Sequence, residues 1–343
     1  MAGAKIKNME DFAAVSGISR PTVSKYFNDP DSVRKSTRSK IEAALERYDY
    51  RPNIYAINQN RSRTKNIGLV VPNLTDPFFA AIARTIEELI VGAGFNPLLL
   101  SSHGGPQHEV ANLDSLRAIK PAGVLLAPLG RASDRDAVAV FCDEIPVVLF
   151  DANLDGIGEA YYGSDNLQSI GLIVDYLCRS GEEPVFFEME NPINPNAFRR
   201  RHAFGHAMER LGHTPQYIRV KGEGWDFEEI GYREGYTLIS GGALPSKTIL
   251  CSNDRLAIGL LAAAYECGLR VGLGAGDDLR IAGHDDHPFA RYTCPGLTTI
   301  SQDYGAIGAQ SVEAILRIIE TGNRPEARAT ALFEGRLVMR NSA

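Results

Sequence analysis

The chain has 343 residues, 44% of them apolar and 23% charged, which suits a globular protein of two or three units rather than one. Its net charge of −6 argues against a nucleic-acid partner only when averaged: residues 1–66 carry 13 Lys and Arg against 7 Asp and Glu, and the remainder carries 23 against 35. A small basic head on a large acidic body is the footprint of a nucleic-acid-binding module fused to something else. The five cysteines (Cys142, Cys178, Cys251, Cys267 and Cys294) include no close pair, so no disulfide framework or zinc site is expected. The chain shows no apolar signal region at its start and no run long enough to span a bilayer, so a cytoplasmic protein without a membrane partner is expected.

Glu10–Asn28, EDFAAVSGISRPTVSKYFN, reads as two short helices around a tight turn. Phe12 and Val15 are apolar at i, i+3. Gly17 can end the first helix in a left-handed conformation, and Ile18 plugs the small core. Ser19 is a candidate N-cap, and Pro21 suits the first turn of the second helix. Val23 and Phe27 then face inward, leaving Arg20, Thr22, Ser24, Lys25 and Asn28 outward. Hydroxyls, an amide and two cations on one helix face match a DNA major groove, with phosphates at its edges and base acceptors within.

A third helix is expected after Asn28–Ser32, capped by Ser36, with Ile41, Ala44, Leu45 and Tyr48 as its apolar stripe. The polar segment Ile54–Lys65 is either a flexible linker or a stretch that orders against DNA. From Ile67 strands and helices alternate. The strands are Ile67–Pro72, Pro97–Ser101, Gly123–Ala127 and Pro146–Phe150, then Pro184–Met189, Gln216–Val220, Lys247–Cys251, Leu279–Gly283 and Leu297–Ile300. Helices are expected near 77–93, 109–119, 168–179, 197–211, 227–240 and 256–267. Two such series imply two lobes of doubly wound parallel sheet, with a ligand site beyond the strand ends between them.

The order of helix-turn-helix, Tyr50-Arg51-Pro52-Asn53, polar hinge and Ile67-Gly68-Leu69-Val70-Val71-Pro72 resembles the LacI/GalR family of bacterial transcription regulators. Asp76-Pro77-Phe78-Phe79, Ser164-Asp165-Asn166, Ser252-Asn253-Asp254, Gly283-His284-Asp285-Asp286 and Leu297-Thr298-Thr299-Ile300 extend the resemblance over nearly the whole chain. It implies an α/β protein with an N-terminal three-helix helix-turn-helix domain (1–50), a hinge (51–66) and a two-lobed periplasmic-binding-protein-like core. The first lobe is expected from 67–163 and 293–321, the second from 164–292 and 322–343. The implied partners are double-stranded DNA with a pseudo-palindromic operator, a second copy of the chain, and a small effector, most simply a sugar or polyol. No cofactor is implied.

By the same resemblance, Arg20, Pro21 and Lys25 face base edges, and Ser19, Thr22, Ser24 and Asn28 contact phosphates. Tyr55, Ala56 and Gln59 belong to the DNA-contacting hinge. Gln59 stands where the family places a minor-groove leucine and is a poor apolar wedge; Ile57 is the alternative. In the cleft, Phe78 and Phe79 match an aromatic lid. Asp151, Arg200, Asn253 and Asp285 match effector-binding groups, and Gln302 is a candidate on the return crossover. Trp225 and Phe227 compete for a stacking position.

Readings from other classes are an enzyme or a solute-binding protein on the same scaffold. His202 and His206 have metal-like i, i+4 spacing without an adjacent Glu or third ligand, and His284-Asp285-Asp286-His287 could be drawn as an acid–base or metal set. A hydroxyl-binding carboxylate explains Asp285 more simply. No nucleophile elbow or Walker-type loop occurs, and Gly272–Gly276 reads as a surface turn. No enzymatic activity is expected. With no heptad tail after Leu337-Val338-Met339, a dimer without a coiled-coil arm is expected.

Overall fold

The computed structural model describes residues 6, 8–28, 30–50 and 64–343, in two compact units, Met1–Thr64 and Lys65–Ala343. In the first unit, helices span Met9–Ser16, Arg20–Asn28 and Lys35–Tyr48, with a 3-10 turn at Pro30–Ser32. Asn8 caps the first helix by accepting from Asp11 N, and Gly17 closes it at φ 66°, where a Cβ would be strained. Phe12, Val23, Ile41 and Tyr50 form the buried centre, with Ile18, Phe27, Ala44 and Leu45 packed around it.

Three local expectations change here. Val15 is 46% exposed and Tyr48 36%, so neither is core; Tyr50, beyond the third helix, stacks on Phe12 at 4.8 Å instead. The third helix starts at Lys35 with Arg34 in the cap position and no side-chain cap, so Ser36 lies inside it. In so short a domain, a residue just outside a helix can fill the core as readily as one on its stripe.

The second unit holds two lobes. Six parallel strands form the first sheet, in the spatial order Ala329–Phe333, Ala160–Ser164, Val147–Phe150, Gly123–Leu126, Asn66–Val71, Asn96–Ser101. The near-continuous apolar run Ile67–Val71 is buried throughout, as a strand covered on both faces requires. Four parallel strands form the second, in the order Gln216–Val220, Val185–Met189, Thr248–Cys251, Arg280–Ala282. An antiparallel pair, Thr299–Ser301 with Arg336–Val338, extends this lobe through bridges Ala282–Thr298 and Asp285–Ser301.

The C-terminal part of the chain therefore divides more finely than expected. Thr299–Ser301, expected in the first lobe, belongs with the second; Ala329–Phe333, expected in the second, is an edge strand of the first sheet, paired with Ala160–Ser164. The chain passes between the lobes at three adjacent places: after Ser164, after Ser301 and after Phe333. These are stitched together. Asp165 N donates to Phe333 O (2.8 Å), Gly335 N to Gln168 Oε1 (2.8 Å), and the Ser164 hydroxyl to Gln302 Oε1. The helices Arg135–Glu144 and Tyr304–Thr321 complete the first lobe; neither was among the expected elements.

Candidate functional site

On the second helix of the small unit, Arg20, Pro21 and Lys25 are exposed and Thr22 and Ser24 half-buried. Ser19 accepts Val23 N at its carbonyl, as an N-cap does, but its hydroxyl pairs with Thr22 Oγ1 at 2.8 Å rather than with a backbone N–H. Arg20 Nε lies 3.5 Å from Glu10, with both side chains more than half exposed, an ion pair loose enough to be exchanged for a phosphate or guanine. The face offers cations and hydroxyls from one rigid element, which is what groove docking needs. Asn28 ends this helix; Tyr55, Ala56, Ile57 and Gln59 lie outside the described residues.

The larger site lies between the lobes, at the carboxyl ends of the strands. Asp285 follows the strand Arg280–Ala282 with φ 122°, and Asp151 follows Val147–Phe150 with φ 61°; Asp286 is also left-handed, at φ 50°. Backbone strain of this sort costs on the order of 1–3 kcal/mol per residue and persists where surrounding contacts hold it. At Asp285 they do: Oδ1 accepts from Arg200 Nη2 (2.7 Å), Gln302 Nε2 (2.7 Å) and His284 Nδ1 (3.1 Å). Burial alone would raise this carboxyl, but Arg200 and His284 reverse the balance and hold it below its ordinary value. Arg200, 2% exposed, also donates Nε to Asn166 Oδ1 (3.3 Å) and Nη1 to Ser252 O (2.7 Å). His284 is driven down to about 4 by burial and by the Arg200 charge, so it sits neutral behind the pair.

Across the cleft, Asp151 accepts Asn196 Nδ2 on Oδ1 at 2.9 Å. Burial pushes its carboxyl up to about 7; Arg200 pulls the other way and Asp285 adds to the rise. Asp76 caps the helix Pro77–Gly92 by accepting Phe78 N (3.0 Å), and its Oδ2 meets Arg255 Nη1 at 3.2 Å. Arg255 is bidentate on Glu228 (2.7 Å twice) and lies over the Phe227 ring. Phe79 meets Trp225 edge-on at 6.1 Å between ring centres. Arg199 donates to the Tyr161 hydroxyl at 2.8 Å. The pairs Asp151–Asn196, Asp76–Arg255, Phe79–Trp225 and Arg199–Tyr161 join the lobes.

The central cavity is lined by Asp76, Phe78, Phe79, Asp151, Asn194, Arg200, Asn253, Arg255 and Asp285, and measures about 10 Å³, room for roughly one water. Six of the eight expected effector contacts are thus brought together. The other two are one layer back: Gln302 spends its amide on Asp285, and Trp225 backs Phe79, with Phe227 beside it under Arg255. Asn253 Oδ1 caps the next helix by accepting Leu256 N, which leaves its Nδ2 for the cleft. Asp254 is structural, accepting Thr299 Oγ1 (2.6 Å) and His287 N (2.7 Å).

Sequence reasoning missed Asn194, Asn196, Asp76 as a cleft residue, and Arg255. The first two were findable, since Asn191-Pro192-Ile193-Asn194-Pro195-Asn196 follows a strand end, where sites of this fold gather. Among the described residues no group of three or more His, Cys, Asp or Glu is placed to hold a metal, and no helix is long and apolar enough to cross a membrane.

A helix-turn-helix unit joined to a two-lobed periplasmic-binding-protein-like core defines a DNA-binding regulator of transcription. Residues 8–53 match the bacterial regulatory proteins of the lacI family, and residues 169–343, half the chain, match the periplasmic binding protein-like domain. Similar proteins include the HTH-type transcriptional repressor PurR of Histophilus somni (28% identity over 327 residues, 93% of this chain and 94% of that one). The ribose operon repressor of Escherichia coli K12 is 26% identical over 314 residues, 91% of this chain and 92% of its own. The solved Lac repressor dimer bound to operator and the anti-inducer ONPF superposes with a TM-score of 0.83 at 25% identity, over 98% of this chain and 99% of that one. The chain belongs to the LacI family of transcriptional repressors.

Proposed function

We propose that this repressor reads a pseudo-palindromic operator as a homodimer, and that a small polyhydroxylated effector bound between the lobes sets its operator affinity. Arg20, Pro21 and Lys25 read base edges; Ser19, Thr22, Ser24 and Asn28 take phosphates. Tyr55, Ala56 and Gln59 follow the DNA backbone and minor groove. The observation that carries the effector reading is Asp285, strained at a strand end and fixed by Arg200 and Gln302, facing Asp151 across the cleft. Fixed carboxylates on opposite walls suit paired sugar hydroxyls, and Phe78 and Phe79 offer ring faces for the sugar's apolar side.

The cavities between the lobes, one of about 10 Å³ and, beside it, one of about 50 Å³, are too small for a sugar, so the cleft must open to admit one and binding couples directly to the separation of the lobes. A coupling of about 1–3 kcal/mol changes operator affinity 5- to 150-fold. An identical second copy is favoured by the relatives' assembly and by large side chains left exposed on the core, among them Phe289, Tyr292 and Tyr265. Among the described residues that line the small cavity there is no Ser, Thr, Cys or His, which favours binding over catalysis.

The test is to select operator fragments with the full-length protein, then titrate the complex with sugars, polyols, sugar acids and sugar phosphates. Release or tightening by a sugar or polyol is expected. A response only to phosphates or acids would overturn the ligand class, and operator binding by a strict monomer would overturn the dimer.

A further inference from the structure

The polar atoms left free in the cleft are unequal in kind. Asp285 takes all three of its donors on Oδ1, and its Oδ2 has no hydrogen-bond partner among the described residues. Asp151, 3% exposed, takes Asn196 on Oδ1 and likewise leaves Oδ2 without a partner among the described residues. Both carboxylates line the cavity. The cations beside them are already paired with carboxylates. Arg200 spends Nε, Nη1 and Nη2 on Asn166, Ser252 and Asp285, and Arg255 spends its guanidinium on Glu228 and Asp76.

Charge is unequal too. Asp76, Asp285 and Glu228 are matched by Arg200, Arg255 and Arg199, which leaves Asp151 as the fourth carboxyl with no cation of its own, and burial accordingly pushes it up to about 7. An unpaired buried carboxylate is costly unless a cation or donors reach it. A ligand carboxylate or phosphate entering this cleft would meet two free carboxylate oxygens, and the cations that line it, Arg200 and Arg255, are each already paired with a carboxylate. A neutral polyol would satisfy the acceptors and bring no charge to pair with Asp151.

We propose that the effector is a polyhydroxylated molecule carrying a protonated amine, an amino sugar or aminopolyol, whose ammonium pairs with Asp151 Oδ2 while its hydroxyls donate to Asp285 and accept from Asn253 Nδ2. The inference rests on the reading of the cleft as the effector site. It narrows that ligand class by charge.

The experiment is a thermal-shift and calorimetric comparison of matched pairs on the full-length protein near neutral pH: glucose with glucosamine, galactose with galactosamine, mannose with mannosamine, and glucose 6-phosphate and gluconate as anions. At least one amine is expected to bind about tenfold or more tighter than its neutral partner, the scale of one charge-assisted hydrogen bond. That preference is expected to vanish in Asp151→Asn, which keeps the acceptor for Asn196 and loses the charge. A cooperative unfolding transition of Asp151→Asn, no lower in temperature than that of the parent, shows that the variant is folded. Neutral sugars binding as tightly as their amines overturn the ammonium site and leave the polyol reading standing. Binding of the anions alone, or of none of the panel, overturns both. An amine preference that persists in Asp151→Asn overturns the assignment to Asp151.

Discussion

Arg255 Nη1 lies 3.2 Å from Asp76 Oδ2, one residue on each lobe and 179 positions apart in the chain, while the rest of the guanidinium grips Glu228. With side chains only 13% and 10% exposed, the pair is shielded enough to matter, and removing Arg255 leaves Asp76 buried without a cation, whereas Arg255 without Asp76 keeps Glu228. Arg255→Met should destabilise the core by about 2–4 kcal/mol and widen the cleft. Thermal unfolding and the radius of gyration in solution check this. In a cycle with Asp76→Asn, the double variant should lose little more than Arg255→Met alone; additive losses would mean the two residues act apart.

Arg200→Ala should abolish effector response, because one side chain holds Asn166, Ser252 and Asp285 together. Arg200→Lys should fail as well, since an ammonium cannot bridge three acceptors in a plane. Operator binding by either variant should persist. A normal response in the lysine variant would show that charge alone suffices.

In the head, Arg20→Ala should cost about 1–3 kcal/mol of discrimination against a wrong base. Lys25→Ala should weaken specific operator binding strongly while leaving effector binding intact. Fluorescence anisotropy across a salt series reads both, and unchanged operator affinity in both would move the recognition face elsewhere.

The Asp151 carboxyl, raised to about 7 in the folded protein by burial, binds its proton more tightly there than in the unfolded chain. Its ionisation therefore opposes folding: the cost is absent below about pH 4, grows as pH rises towards 7, and is constant above. Asp151→Asn should raise the melting temperature more at pH 8 than at pH 5. Equal gains at the two values would show that the carboxyl titrates normally.

The parts legible in the sequence were those where local pattern and long-range packing agree. The buried run Ile67–Val71 and the Gly17 turn need only their neighbours to be understood. Asp285 and Asp151 were findable because strand ends gather sites in this fold. What escaped was set by partners far along the chain. Nothing near Ala329–Phe333 says that it will pair with Ala160–Ser164, and Arg255 looks like any helix-start arginine until Asp76 is placed opposite it. Val15 and Tyr48 fit the helical period yet are displaced from the core by Tyr50, because stacking on Phe12 outranks periodicity in so small a domain.

The three stitched crossings between the lobes, after Ser164, Ser301 and Phe333, have a mechanical consequence. A single tether would let the lobes swivel, slide and twist independently. Three side by side, cross-linked through Asp165, Gln168 and Gln302, resist torsion and shear and leave one easy rotation, the opening of a book along its spine. A small molecule then has no need to specify a new arrangement of some 280 residues. By fixing how far the pages stand apart it fixes the pose of the whole core, and a local contact becomes a signal with one value to transmit.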